Sequence, residues 1–277
     1  MTRENIPEEC RIQTRLDGRV ALVTGAGGEP QGWSVGKAIA MCLAQSGAQV
    51  GILDVNRGAA EVTHQLIGSA GQRSAVLLAD VRVPDQVRAA IEQCVETFGR
   101  LDILVNNVAI AAVGSVVDTP PEEWERVLNV NLTAAYLACK YAVPFLAASG
   151  HGRVVNISSL AAWGYTGTAL AAYAASKAGM HGLSRDVALR FAAQGVCSNT
   201  VVVGLIDTPM VRRYAAQFPG EAGVEAIMRA RDARVPRGKQ GTAWDVAHLV
   251  QFLASDLAQF INGAEIVVDG GSSARIA

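Results

Sequence analysis

The sequence predicts an α/β chain: a single doubly wound domain on a seven-stranded parallel sheet with helices on both faces. Two observations carry this. Short runs rich in valine, leucine and isoleucine alternate, from one end of the 277 residues to the other, with segments whose apolar residues recur at helical spacing. Half of all residues are hydrophobic, so a chain of this length can bury a large core. The alternation implies right-handed crossovers, which place helices over both faces of a parallel sheet.

The predicted strands are 20–23, 50–53, 75–78, 103–105, 154–157, 201–203 and 266–268. Their continuous apolar character is that of strands covered on both sides. The predicted helices are 35–45, 59–67, 85–98, 122–146, 173–193 and 242–253. In the last, the Thr242 hydroxyl is placed to cap the first turn, and Asp245 sits where the helix dipole favours an acid. No linker or repeat divides the chain, so residues 17–277 read as one domain behind a flexible, polar arm, residues 1–16. The stretch 205–239 has little strand character and holds Pro209, Pro219 and Pro236. A connection that long in a compact domain is usually functional, and a helical lid over the substrate is the expectation.

Composition narrows the function. A formal net charge of −1 leaves no basic surplus for a nucleic acid or an anionic membrane. No run approaches the roughly 18 apolar residues of a membrane span, so a soluble, cytoplasmic protein is expected. Five cysteines, an odd number without a Cys-x-x-Cys pair, suit free thiols in a reducing compartment. The four histidines lack metal-ligand spacing, so no metal site is expected.

The first predicted strand runs into Thr24-Gly25-Ala26-Gly27-Gly28 and on through Gly32, Ser34, Val35 and Gly36 before a helix begins. Glycines there let the backbone turn tightly and approach a pyrophosphate, whose charge meets the amides of the helix N-terminus. Asp54, at the end of the second strand, can accept hydrogen bonds from the adenosine ribose hydroxyls and would repel a 2′-phosphate. Two unit charges 4 Å apart interact by about 4 kcal/mol at an effective dielectric near 20, which favours NAD over NADP. Arg57 could reach a phosphate, so NADP is the alternative. Asp80-Val81 and Asn106-Asn107 follow the third and fourth strands, where an open sheet binds ligands.

The chemistry points to Tyr173 and Lys177, downstream of a strand that ends in Ser158-Ser159. Four residues apart on a helix they share a face, so the ammonium can favour the phenolate of a side chain that otherwise titrates near pH 10. A second Tyr-x-x-x-Lys pair, Tyr136 and Lys140, has no upstream serine pair and reads as helix packing with a solvated charge.

As a set these residues resemble the short-chain dehydrogenase/reductase family, from about Gly18 to Gly271. The likeness rests on Thr24-Gly25 and its loop, Asp80-Val81, Asn106-Asn107, Asn131, Ser159, Tyr173 with Lys177, the run Gly204-Leu205-Ile206-Asp207-Thr208-Pro209, and Val267-Val268-Asp269-Gly270-Gly271. The resemblance implies a Rossmann-type domain that moves a hydride between a nicotinamide ring and an alcohol or carbonyl carbon. It implies Tyr173 as general acid and base, Lys177 as its helper and holder of the nicotinamide ribose, and Ser159 as a donor to the reacting oxygen. It also implies Asn131 as holder of a relay water, Ile206 and Thr208 beside the carboxamide, and a homotetramer built through helices 122–146 and 173–193 and the last strand. Cofactor contacts then fall on Thr24, Gly25, Ser34, Val35, Asp54, Asp80, Val81, Asn107, Tyr173, Lys177, Ile206 and Thr208.

The chain departs from the family pattern in places. Its glycine loop is about four residues longer than the family's, with Ser34 where a glycine is expected. That enlargement resembles enoyl reductases of the same superfamily, whose tyrosine and lysine are more widely spaced. Val108-Ala109 lacks the usual glycine, and Val203 replaces a proline. Ser159 and Tyr173 are 14 residues apart, one more than usual, so either the intervening loop bulges or Ser158 shares the role. Val113, Gly114, Ala161, Trp163, Tyr165, Leu205 and Met210 are the residues expected around the reacting carbon, mostly apolar. Arg212, Arg213 and Arg234 can greet a carboxylate or a carrier phosphate, or face water. The leading expectation is an NAD-dependent dehydrogenase of a small hydrophobic secondary alcohol or its ketone. The alternatives are an NADPH-dependent 3-oxoacyl-carrier-protein reductase and a non-catalytic nucleotide-binding protein.

Overall fold

A computed structural model describes residues 14–217 and 223–275. Residues 1–13 of the expected arm and 218–222 of the expected lid lie outside the described residues. Leu16, counted above with the arm, is 2% exposed and donates its backbone N–H to Ser46 O at 2.7 Å, so the last residue of the predicted arm belongs to the core.

The strands β1 (Val20–Thr24), β2 (Gln49–Asp54), β3 (Ser74–Leu78), β4 (Ile103–Asn106), β5 (Arg153–Ser159), β6 (Cys197–Val203), β7 (Ile206–Asp207), β8 (Gly241–Thr242) and β9 (Glu265–Val268) alternate with helices. These are α1 (Val35–Gln45), α2 (Arg57–Ser69), α3 (Pro84–Phe98), α4 (Pro121–Leu128), α5 (Ala134–Ser149), α6 (Ala171–Arg190), α7 (Pro209–Gln217), α8 (Gly223–Ala233) and α9 (Ala243–Ala254). Seven strands form one all-parallel sheet in the order β3-β2-β1-β4-β5-β6-β9, and β7 pairs with β8 apart from it. All seven predicted strands are in the large sheet. The order reverses direction between β1 and β4, which opens a crevice at the carboxyl ends of those strands.

Both faces are covered because successive side chains of each strand point opposite ways and both sets are apolar. Ala21 and Val23 of β1 pack with α1, α2 and α9, while Val20 and Leu22 pack with α3, α5 and α6. Each such fully buried branched side chain contributes about 1.5–3 kcal/mol relative to exposure. The predicted helix 122–146 is one continuous stretch in which a π-turn, Asn129–Thr133, joins α4 to α5. From Pro121 to Ser149 it is apolar enough in composition to cross a membrane, yet Leu137, Ala138, Ala142 and Leu146 are core residues packed below the sheet. At the start of α9, Thr242 is the N-cap residue and forms a capping box with Asp245, whose Oδ2 accepts from the Thr242 backbone N–H at 2.7 Å and from its hydroxyl at 2.8 Å.

Three core thiols give the fold an alkaline limit. Burial pushes Cys42 up to about 11 and Cys94 and Cys139 to about 12, from a usual value of 9.0. Because the folded values are raised, the stability they support is whole below pH 9 and is lost as pH rises through 11 to 12. Each thiol then costs about 2–3 kcal/mol by pH 11. Lys177, lowered by burial from 10.5 to about 8, works in the other direction and returns about 3 kcal/mol between pH 8 and 10.5. The net expectation is a falling urea midpoint above pH 9, moderated in the Cys94→Ala, Cys139→Ala double variant. A midpoint equal at pH 8 and pH 11 would refute it.

Candidate active site

The cleft opens where β1 and β4 diverge and holds about 610 Å³. Its dinucleotide end begins at Gly25, whose φ of +62° is in the left-handed region. The enlarged loop behind it is held from within. Ser34 Oγ accepts from Lys37 N at 3.2 Å, capping α1, and donates to Gly27 O at 3.1 Å. The serine in place of the expected glycine therefore closes the loop onto the helix. Lys37, 3% exposed, donates its Nζ to Glu29 O at 2.8 Å and Gly32 O at 3.1 Å and lies 4.8 Å from the Trp33 ring centre. Glu29 also pairs with Arg213 of α7, tying the loop to the segment opposite.

Asp54 lines the cleft with both oxygens oriented. Oδ2 accepts from Gly27 N at 3.0 Å and Oδ1 from Asn56 N at 2.9 Å, leaving a lone pair on each for ribose hydroxyls. A side chain at position 27 would put its Cβ 2.6 Å from Asp54 Oδ2, so only glycine permits this approach. Asp80 is chelated by Arg82, whose hydrogen bond holds its carboxyl below the usual range. Arg82 and Arg126 also line the cleft, each paired with an acid, Asp80 and Glu123 respectively.

Ser159 ends β5, Tyr173 stands in the first turn of α6, and Lys177 lies one turn on. Ser159 and Tyr173 both line the cleft; Ser159 Oγ accepts from Ala161 N at 3.2 Å, and its hydroxyl eases ionisation of the Tyr173 phenol. Ser158 points elsewhere: its Oγ donates to Lys177 O at 3.2 Å and meets His181 Nε2 at 2.7 Å. Lys177, 1% exposed, donates its Nζ to Ile157 O at 2.7 Å, with Nζ 5.7 Å from the Tyr173 ring centre. The expected drawing down of the phenol by the ammonium is not what this geometry does. Burial is the largest influence on both groups: it raises Tyr173, which the nearby Ser159 hydroxyl partly offsets, and lowers Lys177 to about 8.

Gly25, Ser34, Val35, Asp54, Asp80, Val81, Asn107, Ser159, Tyr173, Lys177, Ile206 and Thr208 all line this one cleft. Thr24 and Asn131 do not. Thr24 Oγ1 donates to Val105 O at 3.2 Å and accepts from Asn107 N at 3.0 Å, bracing the mouth between β1 and β4. Asn107 Nδ2 completes the brace by donating to Thr24 O and Gly25 O. Asn131 sits in the π-turn, 1% exposed, with Oδ1 accepting from Ile110 N and Nδ2 donating to Ile110 O and Ser176 Oγ. Both its amide N–H groups are engaged, so a relay water would not be held through them.

On the substrate side only Met210 of the expected residues lines the cleft. Ala161 and Tyr165 line a neighbouring hollow. Trp163, 48% exposed, donates Nε1 to Glu265 at 2.9 Å and turns its ring toward His181. Val113 is 52% exposed. The expected arginines are engaged by protein groups: Arg212 by Asp207 and Glu225, Arg213 by Glu29, and Arg234 by Thr166 O. Of the lid arginines, the one that lines the cleft is Arg231 of α8, which sequence reasoning passed over; it lies two residues from Arg229 and three from Arg234, a spacing that carries no distinguishing signal. The second Tyr-x-x-x-Lys pair lies on the outside of α5, with Tyr136 47% exposed.

The glycines, the helix N-terminus and the oriented Asp54 fit a nicotinamide dinucleotide lying along this cleft toward Tyr173. A family model described as "Enoyl-(Acyl carrier protein) reductase" matches residues 30–273. The chain is 39% identical over 259 residues to cis-4-hydroxycyclohexanecarboxylate dehydrogenase of Sinomonas cyclohexanicum, covering 92% of this chain and 97% of that one. It is 35% identical over 266 residues to cyclohexanol dehydrogenase of Acinetobacter sp. (strain SE19), covering 95% and 98%. A solved short-chain dehydrogenase/reductase from Burkholderia xenovorans superposes with a TM-score of 0.90 at 43% identity, covering 95% and 99%. A shared fold over nearly the whole length, with a tyrosine, a lysine and a serine gathered at the end of a dinucleotide cleft, leads to one conclusion: the chain belongs to the short-chain dehydrogenase/reductase family and is an NAD(P)-dependent oxidoreductase of alcohol and ketone carbons.

Proposed function

We propose that the protein is an NAD(H)-dependent dehydrogenase of small, apolar, ring-bearing secondary alcohols and their ketones. The observation that carries the reading is that Ser159, Tyr173 and buried Lys177 line one cleft, together with the dinucleotide end. Bound there, the nicotinamide accepts or supplies the hydride. Tyr173 then takes the alcohol proton in oxidation or gives it to the ketone oxygen in reduction, and Ser159 donates to that oxygen as its charge develops. Lys177 places its ammonium below the phenol, and Asn131 positions the Ile110 loop and α6. Ile206 and Thr208 are assigned to the carboxamide, and the stretch 205–239 to a lid closing over the substrate. The alicyclic alcohols named for the two curated relatives support the substrate class. Cytoplasmic residence and a homotetramer are part of the same proposal.

NAD over NADP rests on Asp54, which lines the cleft and whose carboxylate would repel a 2′-phosphate. Rates with cyclohexanol and each nicotinamide test this. NAD is expected to exceed NADP by about thirtyfold or more in kcat/KM, and Asp54→Ala to narrow the ratio at least tenfold. Preference for NADP in the wild type would instead favour the carrier-protein reductase reading. NADH binding with no turnover across a broad panel of alcohols and ketones would favour a non-catalytic protein.

A further inference from the structure

We propose that Arg231 sets the substrate specificity of this cleft, and that the substrate carries a carboxylate on the far side of its apolar body from the reacting carbon. The inference rests on the dehydrogenase reading above and narrows it to hydroxy or oxo carboxylic acids.

Arg231 is half-buried, lies on α8 and lines the same cleft as Ser159, Tyr173 and Lys177. Its Nε donates to Gln240 Oε1 at 2.6 Å. Gln240, 7% exposed, is itself fixed, because its N–H and Nε2 donate to Asp232 Oδ1 at 2.9 and 3.2 Å. One edge of the guanidinium is therefore anchored, and the terminal Nη1 and Nη2 make no hydrogen bond to any described residue. The nearest acids are already engaged. Asp207 gives both oxygens to Arg212, at 2.8 and 2.6 Å, and Asp232 holds Gln240. No carboxylate among the described residues lies within ion-pair distance of Arg231.

A cation removed from water without a counter-ion is unfavourable, and burial, with Arg234 nearby, lowers the Arg231 affinity for its proton. Guanidinium nevertheless keeps its charge at neutral pH. What offsets the cost is an anion arriving with the ligand. The geometry selects among anions: a planar fork with one edge fixed presents two parallel N–H donors, which match the two oxygens of a carboxylate. The rest of that end, Ile110, Val203, Met210 and Val211, is apolar and suits a hydrocarbon body between the acid and the hydroxyl.

Initial rates with NAD on 4-hydroxycyclohexanecarboxylate and on cyclohexanol test the proposal through the ratio of their kcat/KM values. The wild type is expected to favour the carboxylate at least tenfold. Arg231→Gln is expected to reduce that ratio about thirtyfold or more, and Arg231→Lys, which keeps charge but not the fork, to fall between. Calorimetric titration of cyclohexanecarboxylate, which has no hydroxyl to oxidise, into protein loaded with NADH reads the same contact without turnover. Binding is expected in the wild type and its loss in Arg231→Gln. A ratio unchanged by Arg231→Gln, or cyclohexanecarboxylate binding equal in the two proteins, overturns the proposal. So does a fall in NADH affinity at constant ratio, which would place the guanidinium on the dinucleotide phosphates. If neither alcohol turns over while cyclohexanecarboxylate still binds through Arg231, the dehydrogenase reading fails and the carboxylate contact stands.

Discussion

Tyr173→Phe lowers kcat for alcohol oxidation and ketone reduction by about 10²- to 10⁴-fold and leaves NADH affinity within about threefold, as kinetics and fluorescence titration with the same preparation will read. The substitution removes one oxygen and keeps the ring, so the packing of α6 over the cleft is retained. What disappears is the proton carrier. Burial holds the phenol above its usual value, so it is protonated at neutral pH and ready to act as an acid on a ketone. As a base toward an alcohol it must first lose that proton. Oxidation is therefore expected to speed up from pH 7 toward pH 9, before the alkaline loss of stability, while reduction does not. Lys177, at about 8, loses its charge in the same interval, so the observed limb belongs to the pair and not to either group alone. Turnover in Tyr173→Phe close to that of the wild type would mean that another group moves the proton.

Gly36→Ala is expected to be the most damaging single methyl group in the chain. A Cβ at that position would stand 2.0 Å from Gly25 O and 2.6 Å from Asn107 Nδ2. The first of these is backbone, so relief requires α1 to move off β1, which opens the turn that faces the dinucleotide. Overpacking of this kind costs about 1–3 kcal/mol, or about 2–12 °C in Tm for a chain of this size. Because the displaced atoms line the cleft, NADH affinity is expected to fall at least tenfold as well. Gly68→Ala is the control. It lies in α2 with no atom within 4 Å of the added Cβ, and it is expected to be neutral or to stabilise by up to about 1 kcal/mol. Equal Tm values and NADH affinities for Gly36→Ala and the wild type would show that the close approach of helix and strand is not needed.

The period of the apolar residues was sufficient for the seven strands and their union in one parallel sheet, though not for the order of the strands across it. Burial on both faces leaves a continuous apolar run that is visible without coordinates, and the crossover rule then restricts the topology. Tyr173 and Lys177 were legible for a similar reason: their relation is local, four residues along one helix. Other features depended on contacts between distant segments. Ser158 and Ser159 are neighbours in sequence, and only the direction of β5 turns one to His181 and the other to Tyr173. The enlarged loop read as a departure from the family pattern, whereas in space Lys37 reaches back under it to two carbonyls and Ser34 caps α1. Trp163 looked like a wall of the substrate site and is turned instead to Glu265, 102 residues away.

The arginines of the lid show the division most clearly. Sequence places five of them, Arg212, Arg213, Arg229, Arg231 and Arg234, within 23 residues, with nothing to tell them apart. Composition and periodicity determined that the chain is a doubly wound α/β domain with a phenol and an ammonium on one helical turn, because those properties follow from residue type and spacing along the chain; the oxidoreductase reading came from the resemblance of its motifs to a family. Which arginine faces the cleft, and which acids neutralise the others, was decided by tertiary structure alone, because pairing of charges depends on distances across space that the order of residues does not specify.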